Sequence, residues 1–157
     1  MFIKDGISDE DCNPKNNLGK TPLHEAAERG HLNVCQIFID KVEDKNPVDI
    51  GGTTPLHLAA MNGHAQICEL IIQNADNKCP IDSNRNTPLH SAAMFGHVDV
   101  TKVLLKNVED KFKFLPNRLG TTPIQMAKDN FISFGYNNYI ELKKLYDNAK
   151  SKKRPRE

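Results

Sequence analysis

The chain of 157 residues has no tryptophan, only three tyrosines and almost no net charge, with 21 Lys and Arg against 20 Asp and Glu. Such a balance gives no bulk field that would attract nucleic acid or a membrane surface. No apolar run approaches the roughly 20 residues that a membrane helix needs, and the first residues, MFIKDGISDED, lack the apolar stretch of a signal peptide. We therefore expect a soluble, unexported chain the size of one ordinary domain, which can bury a core without disulfides or metal.

Cysteine is scarce as well, and its four positions, Cys12, Cys35, Cys68 and Cys79, show no CxxC or Cys/His ligand spacing. Four cysteines could form two disulfides. Reduced thiols fit this pattern best, so we expect an intracellular protein, cytoplasmic with nuclear access left open. Cys12 and Cys79 fall in connecting segments, where we expect them to be exposed.

What the chain does contain is a repeat. TPLHEAAERGH begins at Thr21, TPLHLAAMNGH at Thr54 and TPLHSAAMFGH at Thr87, a period of 33 residues. A degenerate copy, TPIQMA, begins two residues late at Thr122. The connecting segments keep the same register through three prolines, Pro14, Pro47 and Pro80. A fixed period of this length predicts a stack of small repeated units.

Each copy predicts two helices. The threonine side chain can cap a first helix whose first position is proline, and a glycine near position 30, 63 or 96 ends it. A second helix follows with apolar residues at i, i+3 and i+4. These positions are Val34, Ile37 and Phe38, then Ile67, Leu70 and Ile71, then Val100, Val103 and Leu104. A unit this short cannot cover its own apolar face, so we expect neighbouring units to stack and bury it.

The TPLH motif, the alanine pair, the GH pair and the 33-residue period together resemble the ankyrin-repeat family, over roughly residues 13–148. The resemblance implies an all-α solenoid of four stacked helix-turn-helix repeats, with hairpin loops that project sideways and line a concave groove with the first helices. The expected repeats begin near residues 17, 50, 83 and 118 within a domain of residues 17–149. Family members bind many unrelated proteins, so the resemblance implies a protein-binding module, an adaptor or inhibitor. Because the repeat alignment brings no set of unlike polar groups together, we expect no enzymatic activity and no cofactor. The balanced charge gives the body of the chain no support for binding nucleic acid. We expect the chain alone to be a monomer.

The two ends depart from the pattern. The fourth copy has Gln125 in place of the TPLH histidine, extra residues at Phe131–Phe134, and Lys143 and Lys144 where the second copy has Ile71 and Ile72. Burying unpaired lysines is costly, so a further repeat would not pack on this face. We therefore expect the fourth copy to end the stack and both lysines to be exposed. At the other end, residues 1–16 are either the tail of a preceding repeat in a longer array or a minimal cap that uses Phe2 and Ile3.

Six histidines invite a metal-binding or catalytic interpretation, but they occupy only two repeat positions. His24, His57 and His90 share one, and His31, His64 and His97 share the other. A site needs unlike residues that converge, whereas one residue repeated at a fixed position indicates scaffold. We expect all six rings to be buried or hydrogen-bonded. Thr21, Thr54, Thr87 and Thr122 have the same structural role.

Two features allow alternatives. The resemblance marks Asn13 and Asn46 as loop asparagines that an oxygenase can hydroxylate in similar proteins. The basic tail, residues 150–157, contains a cluster that is typical either of a nuclear localisation signal or of a solvated, disordered end. Its members are Lys152, Lys153, Arg154 and Arg156. Binding of nucleic acid through this tail is the alternative function.

The resemblance also assigns partner contact to particular positions around each TPLH motif. In this chain apolar residues gather at the middle positions, and methionine with an aromatic residue is typical of interface centres. The predicted partner-binding residues are Leu18, Val48, Ile50, Met61, Asn62, Ile81, Asn84, Met94, Phe95 and Leu119. We expect Met61, Met94 and Phe95 to be exposed and to mark an interaction site, since folding has no evident need of exposed apolar side chains there. The alternative is that some of them pack between repeats.

Overall fold

The computed structural model describes residues 13–152, and this part of the chain consists of α-helices and loops without β-strands. The helices are α1 (Pro22–Arg29), α2 (Leu32–Lys41), α3 (Pro55–Met61), α4 (Ala65–Asn74), α5 (Pro88–Met94), α6 (Val98–Asn107), α7 (Asp110–Lys113), α8 (Pro123–Phe134) and α9 (Tyr136–Ser151). The predicted all-α architecture is confirmed. Four pairs of a first and a second helix make up the stack, and the short α7 lies between the third and fourth pairs.

The first helices begin where the sequence predicts. Thr54 lies in extended backbone before α3, its Oγ1 accepts a hydrogen bond from the N–H of His57, and Pro55 holds the first helical position. Proline costs nothing there, because the N–H that it lacks would have no partner within the helix. The first helices end at or near a glycine. α1, for example, is followed by Gly30, whose φ of +78° is a left-handed conformation that reverses the chain toward α2. α1, α3, α5 and α8 stack in this order through direct contact between neighbours.

The second helices form the other layer, in which α4 contacts both α2 and α6. Their inner faces are buried, as at Ile67 and Ile71 of α4 and Leu104 of α6. The expectation of a buried face fails for α2, where Val34 and Ile37 are exposed. The reason is positional: α4 and α6 each pack against the second helix of the preceding repeat, whereas the described residues contain no second helix before α2.

The fourth pair differs from the others. α8 runs for 12 residues because the extra residues, Phe131–Phe134, continue the helix by about one turn. α9 runs for 16 residues to Ser151, so Lys150 and Ser151 are helical and not part of a disordered tail as predicted. Lys143 and Lys144 are exposed, as expected, while the counterpart residues Ile71 and Ile72 are buried.

Candidate functional site

The TPLH histidines join each first helix to the next repeat. His24 Nδ1 accepts a hydrogen bond from the backbone N–H of Thr21 at 3.1 Å, and its Nε2 donates to the carbonyl of Thr53 at 3.1 Å. His57 and His90 repeat both contacts, with their Nε2 atoms donating to carbonyls in the following connecting segments at 3.0 and 2.9 Å. All three rings are buried, as predicted. Thr21, Thr54 and Thr87 are buried beside them, and Thr122 is half-buried.

Burial lowers the pKa of each of these three rings, chiefly because a buried imidazolium loses its hydration. Their hydrogen bonds require the neutral tautomer, with the proton on Nε2 and a lone pair on Nδ1 facing the threonine N–H. In the neutral form each ring joins its own first helix to the hairpin that follows.

The GH histidines link each second-helix start back to the preceding repeat. His64 Nε2 donates to the carbonyl of Glu28 at 3.1 Å, and His97 Nε2 donates to the carbonyl of Met61 at 2.8 Å. The prediction was wrong for His31, which is exposed and has no hydrogen bond from its ring to any residue in the described range. The carbonyl that it needs belongs to a preceding repeat, and none is present among residues 13–152.

In the fourth repeat an aromatic ring takes the place of this histidine. A Cβ atom built on Gly30 would lie 2.6 Å from the ring of His64, and one built on Gly96 would lie 2.3 Å from the ring of Phe134. Phe134 therefore covers Gly96 as the histidines cover the earlier glycines. The inserted turn of α8 is what brings Phe134 to this position.

The segments between repeats are hairpins of one design. In hairpin two, residues 49–53, the N–H of Asp49 donates to the carbonyl of Thr53, and Asp49 Oδ1 accepts from the N–H groups of Gly51 and Thr53. Such a side chain holds the turn closed from within. The same bonds recur in hairpins one (16–20), three (82–86) and four (117–121). They are made there by Asn16, Asp82 and Asn117.

Neighbouring hairpins are also bonded to one another through their backbones. The N–H of Ile50 donates to the carbonyl of Leu18 at 3.1 Å, that of Ser83 to Gly51 at 2.9 Å, and that of Arg118 to Asn84 at 2.9 Å. Each hairpin is thus fixed to the next across the whole stack. The result is a continuous row of four tips whose spacing is set by hydrogen bonds.

Hairpins and first helices share a surface. Lys20 in hairpin one forms an ion pair with Glu28 near the end of α1, with Nζ and Oε2 3.0 Å apart. The repeat brings the equivalent positions of the other units together in the same way. We define the groove surface as the exposed side chains of residues 15–20, 48–53, 81–86 and 116–121, together with those in the last turns of α1, α3 and α5 and at the residue that follows each of these three helices.

Most of the predicted partner-binding residues are exposed on the groove surface. Leu119 is 88% exposed and Ile50 75%. Leu18, Val48, Ile81, Met94 and Phe95 are between 40% and 55% exposed, and Asn62 and Asn84 are exposed too. Met61 is only half-buried rather than exposed as expected, because α3 packs between α1 and α5.

One residue of this surface escaped the sequence analysis. Arg85 in hairpin three has φ of +61°, a conformation that the other three hairpins give to glycine: Gly19, Gly52 and Gly120. An alignment of the four hairpins shows that Arg85 stands where the other three have glycine. This difference becomes informative only when the backbone at that hairpin position is known to be left-handed.

The described cysteines are free thiols in the core. Cys35, Cys68 and Cys79 are all buried, and burial raises the pKa to about 11 for the first and about 12 for the other two. Thiols of this kind stay protonated and unreactive at neutral pH. The expected exposure of Cys79 was wrong, because its side chain belongs to the core cluster that also contains Tyr146 and lies near Glu109. Cys12 lies outside the described residues. Within residues 13–152 no group of three or more His, Cys, Asp or Glu side chains is placed to hold a metal ion.

The candidate hydroxylation sites and the candidate nuclear signal lie apart from the groove surface along the chain. Asn13 and Asn46 are half-buried, and Asn46 Oδ1 accepts a hydrogen bond from the N–H of Leu56 at 3.1 Å. Lys152 is exposed at the end of α9. Lys153, Arg154 and Arg156 of the basic cluster, and Phe2 and Ile3 of the suggested cap, lie outside the described residues.

The family comparison covers most of the chain. The family model for ankyrin repeats, which spans three copies, matches residues 2–81 and 42–113, more than half of the sequence. No curated protein matches the chain significantly. In the part that the structure describes, no helix is long and apolar enough to cross a bilayer. Ankyrin repeats are protein–protein interaction modules and are typically non-enzymatic. The helix pairs, the repeated histidine links, the stacked hairpins and this match together show that the chain belongs to the ankyrin-repeat family.

Proposed function

We propose that this protein is an adaptor or inhibitor that binds another protein across the groove surface. One observation carries the proposal. Of the 11 large apolar side chains that are exposed in the described part of the chain, seven belong to the groove surface. They are Leu18, Val48, Ile50, Ile81, Met94, Phe95 and Leu119. Exposed apolar side chains concentrated on one face are typical of an interaction site.

The central part of this surface has the composition of an interface. Met94 and Phe95 are adjacent at the end of α5 and are 42% and 44% exposed. The Phe95 ring lies near the ring of His97, with centroids 6.4 Å apart and planes 25° apart. An aromatic side chain has only two rotatable bonds, so it loses little conformational entropy when a partner covers it. A flexible methionine beside it can adapt to the shape of the partner.

Hydrogen bonds hold the hairpins and first helices that carry the groove surface in fixed relative positions. Each TPLH histidine connects a first helix to the following hairpin, and each hairpin is bonded to the next. A surface that is already ordered before binding avoids much of the entropy cost of association. The protein therefore offers its partner a pre-formed row of contacts.

The proposed compartment is intracellular. Three buried thiols without a disulfide among the described residues suit a reducing environment. Partner capture should accordingly be done in a reduced extract of the source cells.

The test is affinity capture with matched variants. The wild-type protein, Met94→Glu/Phe95→Glu and Ile132→Glu are each immobilised, and the captured proteins are identified by mass spectrometry. Ile132 is 86% exposed in the inserted turn of α8, which the earlier first helices lack, so it controls for the loss of an exposed apolar residue that the groove surface does not include. We expect a protein that is captured by the wild type and by Ile132→Glu but lost from the double variant. Retention by a folded double variant would show that the groove surface is not the site.

A further inference from the structure

Arg85 occupies a backbone conformation that is unfavourable for it. Its φ of +61° matches the +73°, +73° and +74° of Gly19, Gly52 and Gly120 at the same position of the other hairpins. Glycine adopts this conformation without steric cost, whereas a residue with a Cβ atom is strained in it. An arginine that keeps such a conformation is a candidate for a function outside folding.

The equivalent glycines of hairpins one and two indicate what lies next to the Cβ atom of Arg85. A Cβ atom on Gly19 would lie 3.1 Å from the backbone nitrogen of Ile50, and one on Gly52 would lie 3.1 Å from that of Ser83. In each case the close contact is the next hairpin. The equivalent residue after Arg85 is Arg118, whose N–H is bonded to hairpin three through the carbonyl of Asn84. The two arginines are thus neighbours at the tips of hairpins three and four.

Neither guanidinium is neutralised by another of the described residues. Both residues are exposed, and neither side chain has a hydrogen bond or ion pair with another residue in the range 13–152. The carboxylate of hairpin three is already engaged, because Asp82 accepts bonds from the backbone of Asn84 and from the backbone and side chain of Asn86. Hairpin one shows the contrast, since its Lys20 is paired with Glu28.

Exposed apolar side chains occupy the same two repeats as the pair. Leu119 follows Arg118 directly and is 88% exposed, and Ile81 and Phe95 are exposed in the third repeat. Arginine forks bind carboxylates through two parallel hydrogen bonds, and apolar neighbours strengthen such contacts by excluding water. A ligand that fits this surface has carboxylates interspersed with apolar side chains.

We propose that hairpins three and four bind an acidic, apolar peptide segment of the partner, with Arg85 and Arg118 each contacting a carboxylate. This inference rests on the proposed function, because it specifies the partner of the same surface. Arginines alone also suit phosphate, but the exposed leucine, isoleucine and phenylalanine of the same two repeats favour a peptide over a nucleic acid.

The test uses a phage-displayed library of random peptides of about 12 residues, selected on the wild-type protein. The strongest peptide is then measured against Arg85→Gly, Arg118→Gln and Lys102→Gln. Lys102 lies on α6, away from the hairpins, and controls for the loss of one positive charge. We expect the selected peptides to combine Asp or Glu with Leu, Ile or Phe. Each arginine variant should weaken binding about tenfold, while Lys102→Gln leaves it unchanged.

Arg85→Gly separates function from folding. Because it relieves the strained backbone, this variant should melt about 2 to 4 °C higher than the wild type while it binds the peptide more weakly. Misfolding cannot produce these two effects together. Peptides with Asp and Glu changed to Asn and Gln should bind the wild type no better than the original peptides bind Arg85→Gly.

The outcomes also distinguish this inference from the proposed function. If Met94→Glu/Phe95→Glu abolishes peptide binding and Arg85→Gly does not weaken it, the groove surface binds the partner but the acidic segment is wrong. If neither variant affects binding, both the groove surface and the acidic segment are wrong. Selected peptides without carboxylates, no enrichment at all, or tighter binding of a single-stranded DNA probe of about 12 nucleotides would each overturn the acidic segment.

Discussion

The Nε2 atom of His57 lies 3.0 Å from the carbonyl oxygen of Asn86, although 29 residues separate the two along the chain. This bond ties the start of α3 to the closing residue of hairpin three. With its Nδ1 the same ring accepts from the N–H of Thr54 at 3.3 Å. One side chain thus caps its own helix and fixes the position of the next hairpin, and removing it should affect both.

We predict that His57→Leu costs about 2 kcal/mol or more of folding free energy. The substitution leaves the buried N–H of Thr54 and the carbonyl of Asn86 without partners, and each unsatisfied buried group costs about 1 to 3 kcal/mol. His31→Leu is the control, because that ring is exposed, and we expect a change below about 0.5 kcal/mol. Urea denaturation measures both. Equal costs would show that the repeat links do not stabilise the stack.

The same rings predict how stability depends on pH. Burial lowers the pKa of His24, His57 and His90 in the folded state, whereas the unfolded rings titrate near about 6.5. Below that pH the unfolded chain binds more protons than the folded one, so the free energy of unfolding falls as the pH is lowered from 7.5 to 5.5. The urea midpoint should fall accordingly, and fall less in His57→Leu. A midpoint that is constant or higher at pH 5.5 would contradict the neutral, buried rings.

Leucines at the centre of the first helices should be the most sensitive core positions. Leu56 and Leu89 are fully buried between neighbouring repeats, and replacement of either by alanine is expected to cost about 2 to 5 kcal/mol. Leu119→Ala provides the comparison, because that leucine is 88% exposed and should change stability by less than about 0.5 kcal/mol. Thermal and urea unfolding report the difference. A small loss at Leu56 would place it outside the core.

Two hairpin glycines allow backbone strain to be separated from packing. Gly52 and Gly120 have φ of +73° and +74°, so alanine suffers the same left-handed strain, about 1 kcal/mol or more, at each. A Cβ atom on Gly52 would meet the backbone of Ser83 at 3.1 Å, whereas one on Gly120 would meet nothing within 4 Å. We therefore predict that Gly52→Ala destabilises the protein more than Gly120→Ala. Equal losses in urea denaturation would mean that the hairpins are not closely stacked.

The repeated features of the fold were predictable because their signals are local. A threonine followed by proline begins a helix wherever it occurs, and the recurring glycine ends one, so the helix pairs follow from the period alone. The repeated histidines were assigned to the scaffold from their register. The burial of His24, His57 and His90 agrees with that assignment.

The features that were not predictable depend on what lies next to a residue. His31, Val34 and Ile37 have the sequence positions of buried residues, yet they are exposed because no described repeat packs on them. Position in the motif was the same as in the other repeats, and only the neighbour differed. The short α7 and the role of Phe134 were missed for a related reason, since both arise in the longer segment where the period itself fails.

The most direct measurement is hydroxyl-radical footprinting of the captured complex. Methionine and aromatic side chains are readily oxidised where solvent reaches them, so Met94 and Phe95 report on the groove surface. Tyr136, which is 61% exposed at the start of α9, serves as the internal reference. We predict that the partner reduces oxidation of Met94 and Phe95 severalfold and leaves Tyr136 unchanged. Protection of Tyr136 with undiminished oxidation of Met94 and Phe95 would show that the partner binds elsewhere.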